Sequence, residues 1–432
     1  MNILIFSEAA WDNRNSFGNT VSNFFDGSIW ENDNFCNFYC RNRMPENNLN
    51  MNYYNLSIID ILRGMVKGKI SGRCLSTKDL EQYKESLDKM HANEQKNIDK
   101  IHQKPNHLIH FLYEIIWMSE LWLNHNFKTF ISRNNPDILF AFATSPYILW
   151  PLIKFLKRNT QCKIALLVAD EVLGSYDRLP LYRRGYLRKY LRNCILTADC
   201  VYGISDEMSK IYHNTFGIPI TTLYKGCNLS CELKKETNYP LKMIYAGNLL
   251  WGRDKTLGEL ASVLEKINRD KIKIVLEIYT GTTITEELSK RLNIGNSSKI
   301  MGSRPYEEIK QIMHMADITL HVESFDEKQI QLVKYSFSTK IIDCLQSGTC
   351  VLGIGPSGIA SIEYLKRIKG AHVIDDISKL SKIITELVEH PCNILQDAKF
   401  IREYSLENHE IEEVQAELRK ELLELVDKDS VK

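Results

Sequence analysis

The chain has 432 residues, of which 44% are hydrophobic and 25% are charged, and its formal net charge at pH 7 is +1. This length exceeds what a single hydrophobic core usually supports, so two domains are expected. The near-zero charge argues against bulk capture of nucleic acid, and no nucleic-acid partner is predicted. The eleven cysteines form no CxxC pair. This supports neither a disulfide framework nor a zinc site and predicts buried free thiols. The first residues, MNILIFSEAAW, have the pattern of a core strand and not of a signal peptide, so a cytoplasmic protein is expected.

The amino-terminal segment has the pattern of a strand, a turn and a helix. Asn2–Ser7 is an apolar run typical of a buried strand, and the polar loop after it is expected to pass through Gly18 and Asn19 before a helix begins at Val21. In α/β folds this arrangement brings the backbone close to a phosphate or a sugar. One glycine is a weak signal, and the segment alone favours a simple tight turn.

Residues 56–130 are predicted to be mainly helical, with acids and bases interleaved on a solvated surface. The segment His110–Ile131, at the end of this range, is heavily aromatic and aliphatic. It predicts a buried core helix, with an interfacial helix as the alternative. Its charged residues Glu114, Glu120 and Lys128 argue against a membrane span. No apolar run elsewhere reaches the length of a transmembrane helix.

Two further buried strands, Asp137–Ala143 and Lys163–Val168, alternate with helices. The second is followed by Asp170 and Glu171. Acids at the carboxyl ends of parallel strands are candidates for a reacting centre, so Asp170 is a candidate catalytic residue. An acid that merely stabilises the start of the next helix is an equally good interpretation.

The segment Tyr176–Arg192 places four tyrosines near helical spacing, with six basic residues and a single acid, Asp177, among them. A basic, aromatic helix of this kind predicts contact with an anionic membrane surface. A polar helix face with its tyrosines packed inward explains the pattern equally well.

Residues 226–240 are polar and show the clearest loss of periodicity in the chain, ending at Pro240. They predict a linker between domains. The predicted organisation is an amino-terminal Rossmann-like domain with a helical insertion, a carboxy-terminal Rossmann-like domain and a helical tail, at residues 1–230, 241–400 and 401–432.

After the linker, LKMIYAGNLLWGRDK restarts the pattern of strand, glycine loop and helix. Gly247 and Asn248 form the turn, and Arg253 and Lys255 flank the start of the helix. A diphosphate leaving group needs its growing negative charge neutralised, and without a metal this falls to arginine and lysine beside helix N-termini. The alternative is two ordinary surface cations.

A second phosphate-binding candidate lies in YSFSTKIIDCLQSGTCV, which predicts a loop, a short helix and a strand. Ser338, Thr339 and the start of the helix suit a diphosphate, with Lys340 beside them. Asp343 lies one turn further on, where it could accept hydrogen bonds from a ribose diol. The alternative is an ordinary capped helix with a solvent-facing aspartate.

In their order and spacing, YAGNLLWGRDK, ADITLHVESF and STKIIDCLQSGTCV resemble the carboxy-terminal domain of a retaining, nucleotide-sugar-dependent glycosyltransferase of the GT-B type, with family 4 the closest group. ADCVYGISDEMSKIYHNTFGIPITTLYKGCN and SFGNTVSNFF resemble the amino-terminal domain of that family. The match is weakest from about residue 40 to residue 135. The resemblance implies an α/β fold with two Rossmann-like domains facing across a cleft.

The resemblance also implies roles for residues of the second domain. Arg253 and Lys255 would bind the donor diphosphate, Ser338 and Thr339 would bind its phosphates, and Asp343 would bind the ribose. Gly247, Asn248 and Lys340 complete this set of donor-binding candidates.

From the first domain, Gly18 and Asn19 would face the donor, and Asp170 falls near the position of a catalytic side chain. The family carries two glutamates with seven residues between them, but this chain has Tyr335 at the position of the first and Asp343 at the second. The nearest family-like acid is Glu323, so either Glu323 or Tyr335 is expected at the donor sugar.

The implied activity is transfer of a sugar from a nucleoside-diphosphate sugar to a polysaccharide or lipid-linked acceptor, with retention of configuration and without metal or cofactor. The acceptor would lie at the inner face of the plasma membrane, contacted through Tyr176–Arg192. Two alternatives stay open: a nucleotide-sugar epimerase of the same architecture, and a non-catalytic nucleotide-sugar-binding subunit of a polysaccharide assembly complex.

Overall fold

The computed structural model describes residues 1–13, 16–41, 45–47, 49–68, 72–80, 107–170, 172–335 and 337–427. The chain divides into two compact units. The first consists of Met1–Tyr224 together with Glu412–Lys432, and the second is Lys225–Ile411. Each unit contains one sheet with helices packed against it, as described below.

The strands, numbered in chain order, are Asn2–Ser7 (β1), Asn34–Tyr39 (β2), Asn52–Asn55 (β3), Arg73–Ser76 (β4), Ile138–Phe142 (β5), Lys163–Val168 (β6), Cys200–Gly203 (β7), Thr221–Thr222 (β8), Leu241–Ala246 (β9), Ile274–Tyr279 (β10), Ser298–Gly302 (β11), Ile318–Val322 (β12), Cys350–Ile354 (β13) and His372–Ile374 (β14).

The α-helices are Ser16–Phe25 (α1), Ile58–Lys67 (α2), His107–Met118 (α3), His125–Asn134 (α4), Pro146–Asn159 (α5), Leu173–Asp177 (α6), Leu181–Thr197 (α7), Asp206–Phe216 (α8), Arg253–Ile267 (α9), Glu286–Leu292 (α10), Tyr306–His314 (α11), Glu327–Val333 (α12), Lys340–Gln346 (α13), Ala360–Lys366 (α14), Leu380–Glu389 (α15), Pro391–His409 (α16) and Ile411–Asp427 (α17). Short 3-10 helices cover Ser28–Trp30 and Ile377–Lys379.

In the described part of the first unit the strands form a sheet in the order β4-β3-β2-β1-β5-β6-β7-β8. Its neighbouring strands pair in parallel, with β4 antiparallel to β3. The chain moves outward from β1 in one direction through β2 and then returns to add β5 on the other side. Ligands in such folds bind where the strand order reverses, which here is the carboxyl end of β1.

The described strands of the second unit have the order β11-β10-β9-β12-β13-β14, and all are parallel. This is the Rossmann strand order, with the reversal at β9. Aliphatic side chains such as Leu257, Leu260 and Leu264 of α9 pack against the buried strands. These strands are apolar runs because parallel sheets are covered on both faces.

The predicted helix over His110–Ile131 is two helices, α3 and α4. Asn124 ends the connection because its side chain accepts a hydrogen bond from the backbone N–H of Phe127 and so caps α4. The expected burial also holds for one face of α3 only, since Leu112 and Ile115 are exposed.

The structure places the carboxy-terminal residues differently from the expected domains 1–230, 241–400 and 401–432. The predicted linker, 226–240, belongs to the second unit, where Arg402 of α16 donates to the carbonyl oxygens of Leu229 and Cys231. The expected tail is divided, because α16 lies in the second unit whereas 412–427 return to the first.

Hydrogen bonds hold α17 in the first unit. Gln415 Nε2 donates to the carbonyl oxygen of Asn23 at 2.7 Å, and Arg419 Nε lies 2.7 Å from Asp33 Oδ2. Tyr202 Oη donates to Glu421 Oε2, also at 2.7 Å. The last helix is therefore a structural part of the first unit.

The basic segment Tyr176–Arg192 has both buried and exposed side chains, and its contact with a membrane stays a prediction. Tyr176 is buried, and Arg183 forms a buried ion pair with Glu114. Leu181 and Tyr182 are exposed. Within the described ranges, no helix combines the length and apolar character that crossing a membrane requires.

Candidate functional site

The carboxyl ends of β9 and β12 bring four of the predicted residues together. β9 is followed by Gly247 and Asn248, and a short loop leads to Arg253 at the start of α9. β12 is followed directly by Glu323. Because β9 is the strand at which the sheet order reverses, these residues lie at the edge where ligands bind in this fold.

Arg253 and Glu323 form a buried, two-pronged ion pair. Arg253 Nη2 lies 3.0 Å from Glu323 Oε1 and 2.9 Å from Oε2, and Nε lies 3.2 Å from Oε2. Arg253 Nε also donates to the carbonyl oxygen of Val322 at 3.1 Å, and Nη1 donates to Asn248 Oδ1 at 2.9 Å. The guanidinium is thus held in one orientation, with Nη1 directed to the Gly247-Asn248 turn.

Lys340 of α13 contributes a second positive charge. Its ammonium lies so close to Gly247 that a Cβ atom at this position would overlap it, and it lies 5.8 Å from the centre of the Tyr245 ring. Burial, with the positive charge of Arg253, lowers the pKa of Lys340 to about 8 against the opposing effect of Glu323 and Asp343. Gly247 therefore leaves space for an amine that titrates near neutral pH.

His321 is a component that the sequence argument missed. Its side chain is 2% exposed, Nε2 lies 3.5 Å from Glu323 Oε1, and neither ring nitrogen has a hydrogen-bond partner. Burial, together with the charges of Arg253 and Lys340, lowers its pKa to about 3. The imidazole is therefore neutral at physiological pH. A histidine inside the apolar strand ITLHV, two residues before an acid, was the available signal.

Asp343 lies on α13 and is half-buried, so it does not simply face solvent. Tyr306 Oη of α11 donates to Asp343 Oδ1 at 2.8 Å. Burial raises the pKa of Asp343, while the positive charge of Lys225 and the Tyr306 hydrogen bond act in the opposite direction. The carboxylate keeps a second oxygen beyond the one that Tyr306 contacts.

The other candidate residues of the second unit are more exposed or make fewer side-chain hydrogen bonds. Lys255 is exposed on α9. Ser338 and Thr339 are half-buried just before α13; the Ser338 backbone N–H donates to Ser361 Oγ at 3.1 Å, and Thr339 begins the helix without a capping hydrogen bond from its side chain. Ser336 lies outside the described residues.

In the first unit the expected glycine loop is part of a helix. Gly18 lies in α1, where a Cβ atom would overlap the backbone of Asp12, so close packing of the preceding loop explains this glycine. Asn19 follows it in the same helix. Asp170 is exposed after β6, and Glu171 lies outside the described residues.

One group of metal-ligating side chains occurs in the described part of the chain: Cys350, His372 and Asp397. His372 Nε2 lies 2.8 Å from Asp397 Oδ2, and burial raises the pKa of the Cys350 thiol. This arrangement is a histidine-aspartate hydrogen bond beside a neutral thiol, and none of its members belongs to the Arg253 group.

No protein-family model matches this sequence, and no curated protein matches it. Among solved structures, a sucrose-phosphate synthase from Thermosynechococcus elongatus aligns with a TM-score of 0.61 and 11% identity, covering 98% of each chain. A trehalose-6-phosphate protein from E. coli bound with UDP-2-fluoro glucose aligns with a TM-score of 0.58 and 8% identity, covering 97% of this chain and 98% of that one.

The GtfA/B complex aligns with a TM-score of 0.52 and 14% identity over 70% of this chain. The present chain spans about 60% of the length of that matched chain. These alignments confirm the predicted α/β class with two Rossmann-like parallel sheets, the fold of GT-B proteins.

Proposed function

We propose that this chain is a retaining glycosyltransferase that moves a sugar from a nucleoside-diphosphate sugar to a saccharide or lipid-linked saccharide. The observation that carries the proposal is the buried Arg253-Glu323 pair beside Lys340 and Asp343, at the strand-order reversal of a Rossmann-type sheet. Lys340 is close enough to Arg253, Glu323 and Asp343 for their charges to act on its amine, so the four side chains form one charged group. The structural likeness to a protein bound with a UDP-sugar analogue supports the choice of donor class.

In this proposal Arg253 and Lys340 bind the diphosphate, assisted by the exposed Lys255. Because Glu323 already neutralises Arg253, an incoming diphosphate shares the guanidinium through Nη1, which faces Asn248. Two fixed cations stabilise the charge that develops on the leaving diphosphate, so the reaction proceeds without a metal or cofactor. Because Gly247 has no side chain, the phosphates can approach the backbone at this turn closely.

With the diphosphate at Arg253 and Lys340, neighbouring side chains would contact the ribose and the sugar of the donor. Asp343, oriented by Tyr306, accepts hydrogen bonds from the ribose diol, while Ser338 and Thr339 donate to phosphate oxygens. Glu323, whose two oxygens both face Arg253, and Tyr335, half-buried before α13, are the two candidates for a sugar contact. Gly18, Asn19 and Asp170 stay predictions for contributions from the first unit.

The proposed chemical step breaks the bond between the anomeric carbon and the diphosphate oxygen. The acceptor oxygen forms a bond to the anomeric carbon on the same face, and its proton passes to the departing phosphate. A separate base is not required. The acceptor lies at a cytoplasmic membrane face in this proposal, with the exposed residues of α7 as its contact.

The test begins with thermal unfolding against UDP, GDP, ADP, CMP and several nucleotide sugars. A ligand at about 100 times its dissociation constant stabilises the fold by roughly 2.7 kcal/mol, which shifts the unfolding midpoint by several degrees. One diphosphate should stabilise the wild type and leave Arg253→Ala unshifted. A chain that no nucleotide stabilises contradicts the proposal.

Turnover then separates the alternatives. A transferase releases nucleoside diphosphate in the presence of an acceptor and forms a glycoside with the donor's anomeric configuration. An epimerase converts the nucleotide sugar without releasing the nucleotide. A non-catalytic subunit binds the nucleotide and shows neither reaction.

A further inference from the structure

The carboxyl end of β1 in the first unit carries a polar cluster with no role so far. Glu8 follows β1 directly, Arg41 follows β2 and Ser145 follows β5. Because β2, β1 and β5 are adjacent parallel strands, their carboxyl ends meet at one edge of the sheet, and β1 is the strand at which the order reverses. In this fold class ligands bind at that point.

Each carboxylate oxygen of Glu8 has its own partners, and together they orient the side chain. Ser145 Oγ donates to Oε1, and Tyr147 Oη donates to the same oxygen at 2.7 Å. Arg41 Nη2 lies 3.3 Å from Oε2. The Glu8 side chain is 18% exposed and that of Arg41 is 58% exposed, so solvent reaches the Oε2 side of the pair.

Ser145 contacts Glu8 instead of capping helix α5. Ser145 is the residue before α5, where a serine side chain normally caps the helix by accepting a backbone N–H. Its side chain makes no such bond and is turned to Glu8 instead. The Ser145 hydroxyl therefore helps to fix the Glu8 carboxylate, as hydrogen bonds commonly do for the side chains of binding sites.

Two aromatic rings flank the carboxylate. Tyr147 packs edge-on against Tyr113 of α3, with ring centres 6.0 Å apart. Burial and the charge of Glu8 raise the pKa values of both tyrosines well above the usual value, so their hydroxyls stay protonated. The cluster thus combines flat apolar surfaces with a carboxylate and a guanidinium whose charges cancel.

We infer that Glu8, Arg41 and Tyr147 form a binding subsite for a neutral sugar, the acceptor end of the proposed transfer. A sugar hydroxyl is both a donor and an acceptor, so it can donate to Glu8 Oε2 while accepting from Arg41. The C–H face of the ring packs on tyrosine. Because the cluster has no net charge, it selects uncharged saccharides over phosphorylated or carboxylated ones. This inference rests on the proposed function.

The experiment uses the full chain and saturation-transfer NMR with five named probes: glucose, galactose, mannose, N-acetylglucosamine and N-acetylgalactosamine. At least one should bind the wild type, and Glu8→Gln and Tyr147→Phe should each weaken that binding about tenfold. Glu421→Gln and Tyr202→Phe are the matched controls, because this pair makes the same tyrosine-to-glutamate hydrogen bond in the first unit at 2.7 Å. Both controls should bind the sugar as the wild type does.

Three outcomes overturn the inference: no probe binds the wild type, Glu8→Gln and Tyr147→Phe bind as well as the wild type, or the controls lose binding equally. Titration of the same samples with UDP, GDP and ADP separates the two proposals. Nucleotide binding without sugar binding overturns this inference and leaves the donor proposal standing. Sugar binding that depends on Glu8, without nucleotide binding, supports the subsite and overturns the proposed function.

Discussion

At the carboxyl end of β9 the second unit gathers Arg253 and Lys340 around a single glutamate, whereas at the carboxyl end of β1 the first unit gathers hydroxyl donors and one arginine around Glu8. Both strands mark the reversal of the order in their sheets. In our proposals the shared topology places a ligand at the same point of each sheet, and the side chains there differ. Two cations suit a diphosphate, and a carboxylate-guanidinium pair with hydroxyl donors suits a neutral sugar.

The largest effect is expected at the Arg253-Glu323 ion pair. We call the carboxyl ends of β9 and β12, with Arg253 and Lys340, the cationic edge. Arg253→Ala should lower turnover by about 10²-fold or more, because a fixed donor to the leaving group is lost. It should also lower the free energy of unfolding by roughly 3–5 kcal/mol, because Glu323 is left buried without its partner. Nucleotide release assays and urea unfolding measure the two effects.

A paired variant separates these roles. Arg253→Met combined with Glu323→Leu removes both charges, so it should regain most of the lost stability while turnover stays low. If the pair variant regains turnover as well, the ion pair is purely structural and the cationic edge is not a donor site.

The next effect concerns pH and Lys340. Its pKa of about 8 means that the free protein loses this cation as the pH rises through 8, so nucleotide affinity should fall by up to about tenfold per pH unit above that value. Lys340→Arg should hold its affinity to higher pH because a guanidinium does not titrate there. Calorimetric titration from pH 6.5 to pH 9.5 measures this, and identical profiles for the two proteins would contradict it.

The same residue affects stability with the opposite sign. The pKa of Lys340 in the fold lies below its unfolded value near 10.5, so the unfolded chain binds the proton more tightly. This contribution to stability therefore rises between about pH 8 and pH 10.5. Lys340→Met should raise the unfolding midpoint at pH 7 by about 2–4 °C while weakening nucleotide binding. A lower midpoint would show that the amine stabilises the fold.

A smaller effect is expected for ribose recognition by Asp343. The wild type should bind its preferred nucleotide about tenfold more tightly than the 2′-deoxy form, and Asp343→Ala should abolish the difference. Tyr306→Phe is the control, because it keeps the carboxylate and should keep a preference for ribose. Equal affinities of the wild type for the two nucleotides would remove Asp343 from the ribose site.

The smallest effect is expected at the turn after β9. Gly247→Ala places a Cβ atom against the Lys340 ammonium and should weaken nucleotide binding a few-fold, since a lysine end can shift at low cost. Gly281→Ala is the matched change in the same unit, where a Cβ atom meets only Ser303 Oγ at 3.9 Å, and it should have no effect. Equal losses in the two variants would show that the space beside Lys340 is unimportant.

Apolar runs made much of the fold predictable from the sequence. β1 and β6 have the predicted bounds because continuous buried strands carry a strong pattern. β2, β3 and β4 were not predicted, because NFCNFY, NYYN and RCLS mix polar residues into short strands. Asn37 of β2, for example, is fully buried and accepts a hydrogen bond from the Trp11 backbone, a tertiary contact that no local pattern contains.

The candidate site was predictable as a set of residue types but not as a set of contacts. Gly247, Asn248, Arg253 and Glu323 were all singled out, yet the ion pair joins residues 70 positions apart and depends on β9 and β12 being neighbours. His321 escaped because a histidine in an apolar strand is usually an ordinary core residue. The Glu8 cluster escaped because its members come from three separate strand ends.

The return of α17 to the first unit has a consequence for the order in which the protein forms during synthesis. The second unit, Lys225–Ile411, is continuous in sequence, so all of its parts emerge from the ribosome before the last helix does. The first unit begins earlier but lacks the contacts of Gln415 with the Asn23 carbonyl and of Arg419 with Asp33 until these two residues have been made. The half that starts first is therefore completed last, and the second unit can fold while the first still waits for its final helix.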